Sequence, residues 1–201
     1  MESEGPLSID CLPALLQQIA AGNQSAFEQV YNAFYTRLYR FALAMVRTKE
    51  PAEEIVEDVF IKIWQQRENV ISIQNLKVYL YTATKNTALN YLSRMAKESI
   101  TEPFDHVQIW LESTSISPEQ LMITSQMFKK IQEAVDALPP RCKMIFKLVR
   151  EDGLRYKEIA EILNISVNTI DAQMAIAVKR IATAVQSEFG ISLKKGQQIK
   201  K

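Results

Sequence analysis

Apolar residues recur at intervals of three and four along most of this chain. From Phe27 the series Val30, Tyr31, Phe34, Tyr35, Leu38, Phe41, Ala42 and Met45 runs without a break. That spacing predicts a long amphipathic helix whose aromatic stripe faces a neighbouring helix. Ser25 with Glu28 three residues on has the form of a capping box, which would start the helix there. Residues 11–22 predict a shorter helix stopped by Gly22. Pro51 can open the next helix, because its missing N–H costs nothing in a first turn. That helix carries Ile55, Val59 and Ile63 in one row and Val56, Phe60 and Trp64 in the next. Residues 65–75 read as a polar loop. Residues 76–95 read as a fourth helix, with Leu76, Tyr79, Leu80, Ala83 and Leu92 as candidates for burial.

The periodicity lapses between Glu98 and Gln120, where Pro103, Pro118 and several serines interrupt it and no lysine or arginine answers the acids. This is the composition of a linker. Beyond it, Met122, Met127, Ile131, Val135 and Leu138 mark another amphipathic helix, and Leu138 to Ile181 reads as a helix, a glycine break and a helix-turn-helix. Ile159, Ala160 and Leu163 share a face of the first helix of that pair. Asn164 tolerates the left-handed backbone of a tight turn. Ser166 can cap the second helix, with Ile170, Met174, Ala177, Val178 and Ile181 as its buried stripe. The chain is expected to be all-α, with helical domains at 11–97 and 119–183, an acidic linker at 98–118 and a basic, mobile tail at 184–201.

Composition agrees with this picture. An apolar fraction of 47% is ample for packed cores, and five glycines with few alternating runs favour helices over sheet. No stretch is long and apolar enough to span a membrane, and the acidic start MESEGPLS is unlike a signal peptide. Cys11 and Cys142, far apart with no secretory signal, are expected to be reduced thiols of a cytoplasmic protein. With a single histidine, no cysteine cluster and no glycine-rich phosphate loop, neither a metal site, a cofactor nor an enzyme is expected.

The formal net charge is only +1, but its distribution is uneven. Glu50, Glu53, Glu54, Glu57 and Asp58 crowd the start of the third helix, where carboxylates favour the positive end of the dipole. They either solubilise the helix or form a partner-docking face. From Val70 to Lys97 there is no acid at all, while Lys77, Lys85, Arg94 and Lys97 alternate with Tyr79, Tyr81, Tyr91 and with Asn75, Asn86 and Asn90. Cations hold phosphates, aromatic rings stack on unpaired bases and amides read base edges. The second helix of the helix-turn-helix would present Asn168, Thr169, Asp171, Ala172, Gln173, Ala175 and Ile176 outward, as a helix in a DNA major groove does.

In this order the segments resemble bacterial sigma factors, specifically the small two-domain extracytoplasmic-function group. AEEIVEDVFIKIW is similar to the group's core-binding segment, LKVYLYTATKNTALNYLSR to the segment that recognises and melts the −10 element, and LPPRCKMIF with GLRYKEIAEILNISVNTI to the domain that reads the −35 element. The style of the last motif is similar to members from Bacteroidetes-like bacteria. The resemblance implies that Ala52, Glu53, Glu54, Asp58, Phe60 and Trp64 hold core RNA polymerase, with Phe60 alternatively supporting the helix from inside. It implies that Lys77, Tyr79, Tyr81, Lys85, Asn86 and Asn90 surround the separated −10 strand, with Asn86 in the melting position and the loop at 67–75 capturing a flipped base. At −35 it places Asn168 to Ile176 in the groove and Arg155, Lys157, Lys179 and Arg180 on phosphates. A membrane-linked anti-sigma factor is the further implied partner.

The sequence also departs from the group's pattern. Pro51 replaces the usual Asp, Glu57 the usual Gln and Tyr79 a common Trp. Asp171 stands where a basic residue is common; it can accept from cytosine N4, and Gln173 suits adenine. A dimeric helix-turn-helix regulator is the alternative expectation. It leaves the acid-free aromatic helix and the acidic linker without a role.

Overall fold

A computed structural model describes residues 12–98 and 122–189. Residues 99–118 of the acidic linker, Cys11 and the lysines after Phe189 lie outside the described residues. The helices form two compact units.

The first unit is built from α1 (Leu12–Ala20), α2 (Gln24–Val46), α3 (Lys49–Gln65), a 3-10 segment (Arg67–Ser72) and α4 (Leu76–Glu98). α2 packs against α1, α3 and α4, so it forms the centre of the unit. It starts earlier than the Ser25–Glu28 pattern predicts. Asn23 is the cap: its backbone is extended and its side-chain oxygen accepts from the Ala26 N–H at 3.1 Å. α2 ends at Arg47, a non-glycine residue with φ of 67°, whose N–H donates to the Leu43 carbonyl at 2.9 Å. α3 begins two residues before Pro51. The proline therefore sits at the third helical position, where its missing N–H still has no intrahelical partner to lose. The expected loop at 65–75 is largely helical. Val70 is buried and anchors the 3-10 segment, which lies against α1.

α4 buries Leu76, Val78, Leu80, Tyr81, Thr84 and Ala88. Leu76 and Leu80 fit the sequence expectation, whereas Tyr79 is exposed and Ala83 and Leu92 are only half-buried. α4 faces both α2 and α3, and two neighbours demand a wider apolar stripe than one. Tyr81 has no exposed surface, and its ring meets Phe41 edge-on at 5.2 Å. Thr84 satisfies its buried hydroxyl within the helix by donating to the Leu80 carbonyl at 2.8 Å.

The second unit contains α5 (Met122–Asp136), α6 (Pro140–Arg150), the start of α7 (Tyr156–Leu163) and α8 (Val167–Phe189). α5 and α6 both pack on α8. Val135, Leu138, Cys142 and Ala177 form the packed centre, flanked by Ile131, Phe146 and Ile181. Pro140 occupies the first turn of α6, and Lys143 ties that turn back to α5. Its buried ammonium lies 2.8 Å from the Asp136 carboxylate and also donates to the Asp136 carbonyl at 3.2 Å. Gly153, with φ of 63°, makes the break after α6. Two expectations need correction. Val178 is exposed, because the buried series of α8 steps through Ile170, Met174, Ala177 and Val185 and passes it by. The mobile tail expected from residue 184 is helical to Phe189, with Val185 buried.

Candidate functional site

Three surfaces carry the candidate residues. On α3, Glu53, Glu54, Glu57 and Asp58 are exposed. Ala52 and Phe60, expected to touch a partner, are buried and cannot do so. Ala52 lies on the packed side of the helix. Phe60 is wedged between rings, with Phe27 at 6.1 Å and Tyr31 at 4.8 Å, so it supports the helix from inside. Trp64 is half-buried against Phe27 at 5.0 Å. The Arg67 guanidinium lies over the Trp64 ring, 5.2 Å from its centroid, and donates to the Trp64 carbonyl at 3.1 Å. Ile61, not singled out in the sequence, is 52% exposed. It stands three residues after Asp58 and seven after Glu54, on the same side of the helix. An isoleucine interrupting an acidic face was the available signal, obscured by the apolar rows on either side. Together these residues offer an acidic face with one apolar contact, suited to a basic protein surface.

On α4, Tyr79, Asn86 and Asn90 are exposed and share a stripe with Leu89, while Lys77 and Lys85 are half-buried. Tyr81 leaves this group, since its packing on Phe41 gives it no surface for a base. Asn75 is the helix cap, accepting from the Val78 N–H at 3.2 Å. Beside the start of α4 the 3-10 segment holds Ile71 57% exposed, a second apolar residue the sequence reading passed over. A stripe with one aromatic face, two amides and no carboxylate can stack on and hydrogen-bond to unpaired bases without repelling their phosphates.

The helix-turn-helix is built by local chemistry. Before α7, Glu158 reaches back to accept from the Arg155 N–H at 2.8 Å. Asn164 adopts φ of 54°, and the Ile165 N–H donates to the Ala160 carbonyl at 3.0 Å, closing α7 in a Schellman-type turn. Ser166 then caps α8, accepting from the Thr169 N–H at 3.0 Å. Its hydroxyl also bonds that of Thr169 at 2.8 Å, so the Thr169 hydroxyl serves the cap. Asn168, Asp171, Ala172, Ala175 and Ile176 are exposed along the outer face and Gln173 is half-buried. Arg155, Lys157, Lys179 and Arg180 are exposed on the same helix pair. Cys142 lies beneath α8, its thiol donating to the Gln173 carbonyl at 3.2 Å. Burial raises the thiol's pKa above its ordinary value, with the nearby Arg180 charge acting in the opposite direction.

Comparison with known proteins matches residues 30–98 to the family model for sigma-70 region 2 and residues 128–181 to that for sigma-70 region 4. The ECF RNA polymerase sigma-E factor of Escherichia coli K12 is 25% identical over 182 residues, 86% of this chain and 93% of that protein. Among solved structures, the sigma factor RpoE in complex with the anti-sigma factor NepR from Bartonella quintana matches with a TM-score of 0.53 at 22% identity, over 81% of this chain and 98% of that one. CnrH in complex with the cytosolic domain of CnrY gives the same TM-score at 16% identity, over 88% of this chain and 97% of that one. At these identities the structural likeness is one of fold.

Proposed function

The chain belongs to the sigma-70 family, in its extracytoplasmic-function group, and from that premise we propose how its surfaces divide the work of starting transcription. The α3 face of Glu53, Glu54, Asp58 and Ile61 docks on core RNA polymerase. The α4 stripe of Tyr79, Asn86 and Asn90, with Lys77 and Lys85 beside it, binds the separated −10 strand. The outer face of α8, from Asn168 to Ile176, enters the −35 major groove, and Arg155, Lys157, Lys179 and Arg180 hold phosphates around it. The observation that carries this reading is the occurrence, within one four-helix unit, of an exposed acidic helix face and a separate exposed stripe free of acids.

Melting on this reading needs no enzymatic step by the chain. Stacking of an unpaired base on an aromatic ring contributes about 1–3 kcal/mol, which offsets the few kcal/mol of unstacking once polymerase holds the duplex. Phosphate contacts position α8, while Asp171 and Gln173 discriminate bases, with Asp171 favouring cytosine and Gln173 adenine. The factor acts in the cytoplasm, where polymerase and promoter are. An anti-sigma factor is its regulatory partner, and one neighbour of like fold is a sigma factor in complex with an anti-sigma factor.

The test is co-purification with sigma-free core polymerase, followed by footprinting on a promoter pool. Protection at two sites near −35 and −10, with unpaired thymines at the second, supports the reading. Failure to bind core, together with dimeric binding to duplex DNA alone, would favour a helix-turn-helix regulator instead.

A further inference from the structure

The outward face of α8 is apolar at its centre. Asn168, Ala172, Ala175, Ile176 and Lys179 are exposed and fall within an arc of about 100°, opposite the buried series Ile170, Met174 and Ala177. No carboxylate stands in that arc. Asp171 lies about 40° beyond one edge of it, and half-buried Gln173 about 60° beyond the other. Ile176 is the large apolar side chain of the arc and is 42% exposed.

A single exposed isoleucine on a helix is ordinary. What distinguishes Ile176 is its setting. Ala172 stands one turn before it and Ala175 beside it, so a rigid surface can approach the α8 backbone closely there. Lys179 and Arg180 follow one turn later, both exposed. The hydroxyls that border the face are engaged with α8 itself. Thr169 is bonded to Ser166 in the helix cap at 2.8 Å, and Thr183 donates to the Lys179 carbonyl at 2.9 Å. The centre of the face is thus left to apolar contact.

Base edges in the major groove carry donors and acceptors, and thymine alone of the four bases adds an apolar group there, its C5 methyl. An isoleucine laid on any other edge covers donors and acceptors without replacing their bonds to water, which costs free energy. Laid on the thymine methyl, it removes apolar surface from water on both sides. One side chain therefore favours thymine and disfavours its competitors.

We propose that Ile176 reads the −35 element by seating on a thymine C5 methyl, with Ala172 and Ala175 providing the clearance that lets it reach the base. This rests on the −35 reading above and adds to it a base identity that no hydrogen bond supplies.

The test uses holoenzyme formed with the full-length chain, and duplexes carrying the element that it protects near −35. Deoxyuridine replaces each thymine of that element in turn, which deletes one methyl and leaves the hydrogen-bonding edge unchanged. At one thymine, binding is expected to weaken about fourfold, the loss of one buried methyl. Ile176→Ala is expected to weaken binding to the thymine duplex and to abolish the response to that replacement, while Ile176→Val keeps the response. Val178→Ala shortens another exposed apolar residue, about 160° round α8 from Ile176, and should change neither affinity nor response. The deoxyuridine arm alters only the DNA, so it does not depend on the folding of any variant. Equal binding of every deoxyuridine duplex and the parent, or a protected element without thymine, overturns the proposal and leaves the −35 reading intact. A response that survives in Ile176→Ala, or an equal loss in Val178→Ala, overturns the assignment to Ile176. Absence of protection near −35 overturns the −35 reading itself.

Discussion

Tyr79 and Tyr81 lie two residues apart on α4, look alike in sequence and have opposite environments. Tyr81 is fully buried against Phe41, whereas Tyr79 is 39% exposed. Removing a buried aromatic ring costs about 3–5 kcal/mol, because the transfer free energy is lost and a cavity remains. The edge-on contact with Phe41, worth about 0.5–1.5 kcal/mol, is lost as well. Set against about 5–15 kcal/mol for a whole domain, Tyr81→Ala should leave the first unit close to unfolding. With a urea dependence of about 2 kcal/mol per molar, the midpoint should fall by about 2 M. Trp64 lies in this unit, so its fluorescence in a Trp110→Phe background reports the transition. Tyr79→Ala should stay within about 0.5 kcal/mol of the parent in the same assay. It should instead weaken capture of a single-stranded −10 oligonucleotide by holoenzyme by about 1–3 kcal/mol, the loss of one stacked base. Equal midpoints for Tyr81→Ala and the parent would refute the packing assignment. Full strand capture by Tyr79→Ala would refute its role on the DNA.

The turn of the helix-turn-helix should respond to its backbone chemistry. Ser166→Ala removes the α8 cap and should cost about 1 kcal/mol in the second unit, read by denaturant unfolding. Asn164→Ala must hold φ of 54° without the asparagine side chain and should cost about 1 kcal/mol, while Asn164→Gly should be tolerated. In a Cys11→Ser background, burial and a raised pKa should keep the Cys142 thiol unreactive to a disulfide reagent at pH 8 until the second unit unfolds. The folded-state pKa values of Tyr31 and Tyr35 lie above the unfolded value of 10.0, so the unfolded chain ionises first. Their contribution is complete below pH 10 and is lost as pH rises through the folded values. Unfolding midpoints should therefore fall above pH 10, and ultraviolet titration should show late-ionising tyrosines that advance on unfolding.

Helix periodicity, the glycine breaks and the helix-turn-helix caps were legible because each is local. Asn164 and Ser166 act through bonds to residues within a few positions, so their roles can be read from sequence. The side that each helix buries was less legible, because it depends on how many neighbours the helix has. α4 meets both α2 and α3, which turned Tyr81 inward and left Tyr79 out. Ala52 and Phe60 belong to a motif that resembles a docking segment, but a motif mixes residues that touch a partner with residues that hold the helix in place. Ile61 and Ile71 were missed for other reasons: Ile61 falls between the two apolar rows of its helix, and Ile71 lies in a stretch whose composition reads as a polar loop. Asn23 and not Ser25 caps α2, its side-chain oxygen accepting from the Ala26 N–H, and spacing alone does not decide between two candidate caps two residues apart.

The central claim is that this chain confers promoter-specific initiation on a polymerase that lacks it. Run-off transcription with sigma-free core polymerase, on a pool of genomic promoter fragments, tests it directly. The account predicts discrete start sites that appear only when the chain is added, lost with Asp58→Lys through failed docking and with Asn86→Ala through failed melting. Core polymerase that shows no chain-dependent start sites, while the chain alone footprints duplex DNA as a dimer, would contradict it.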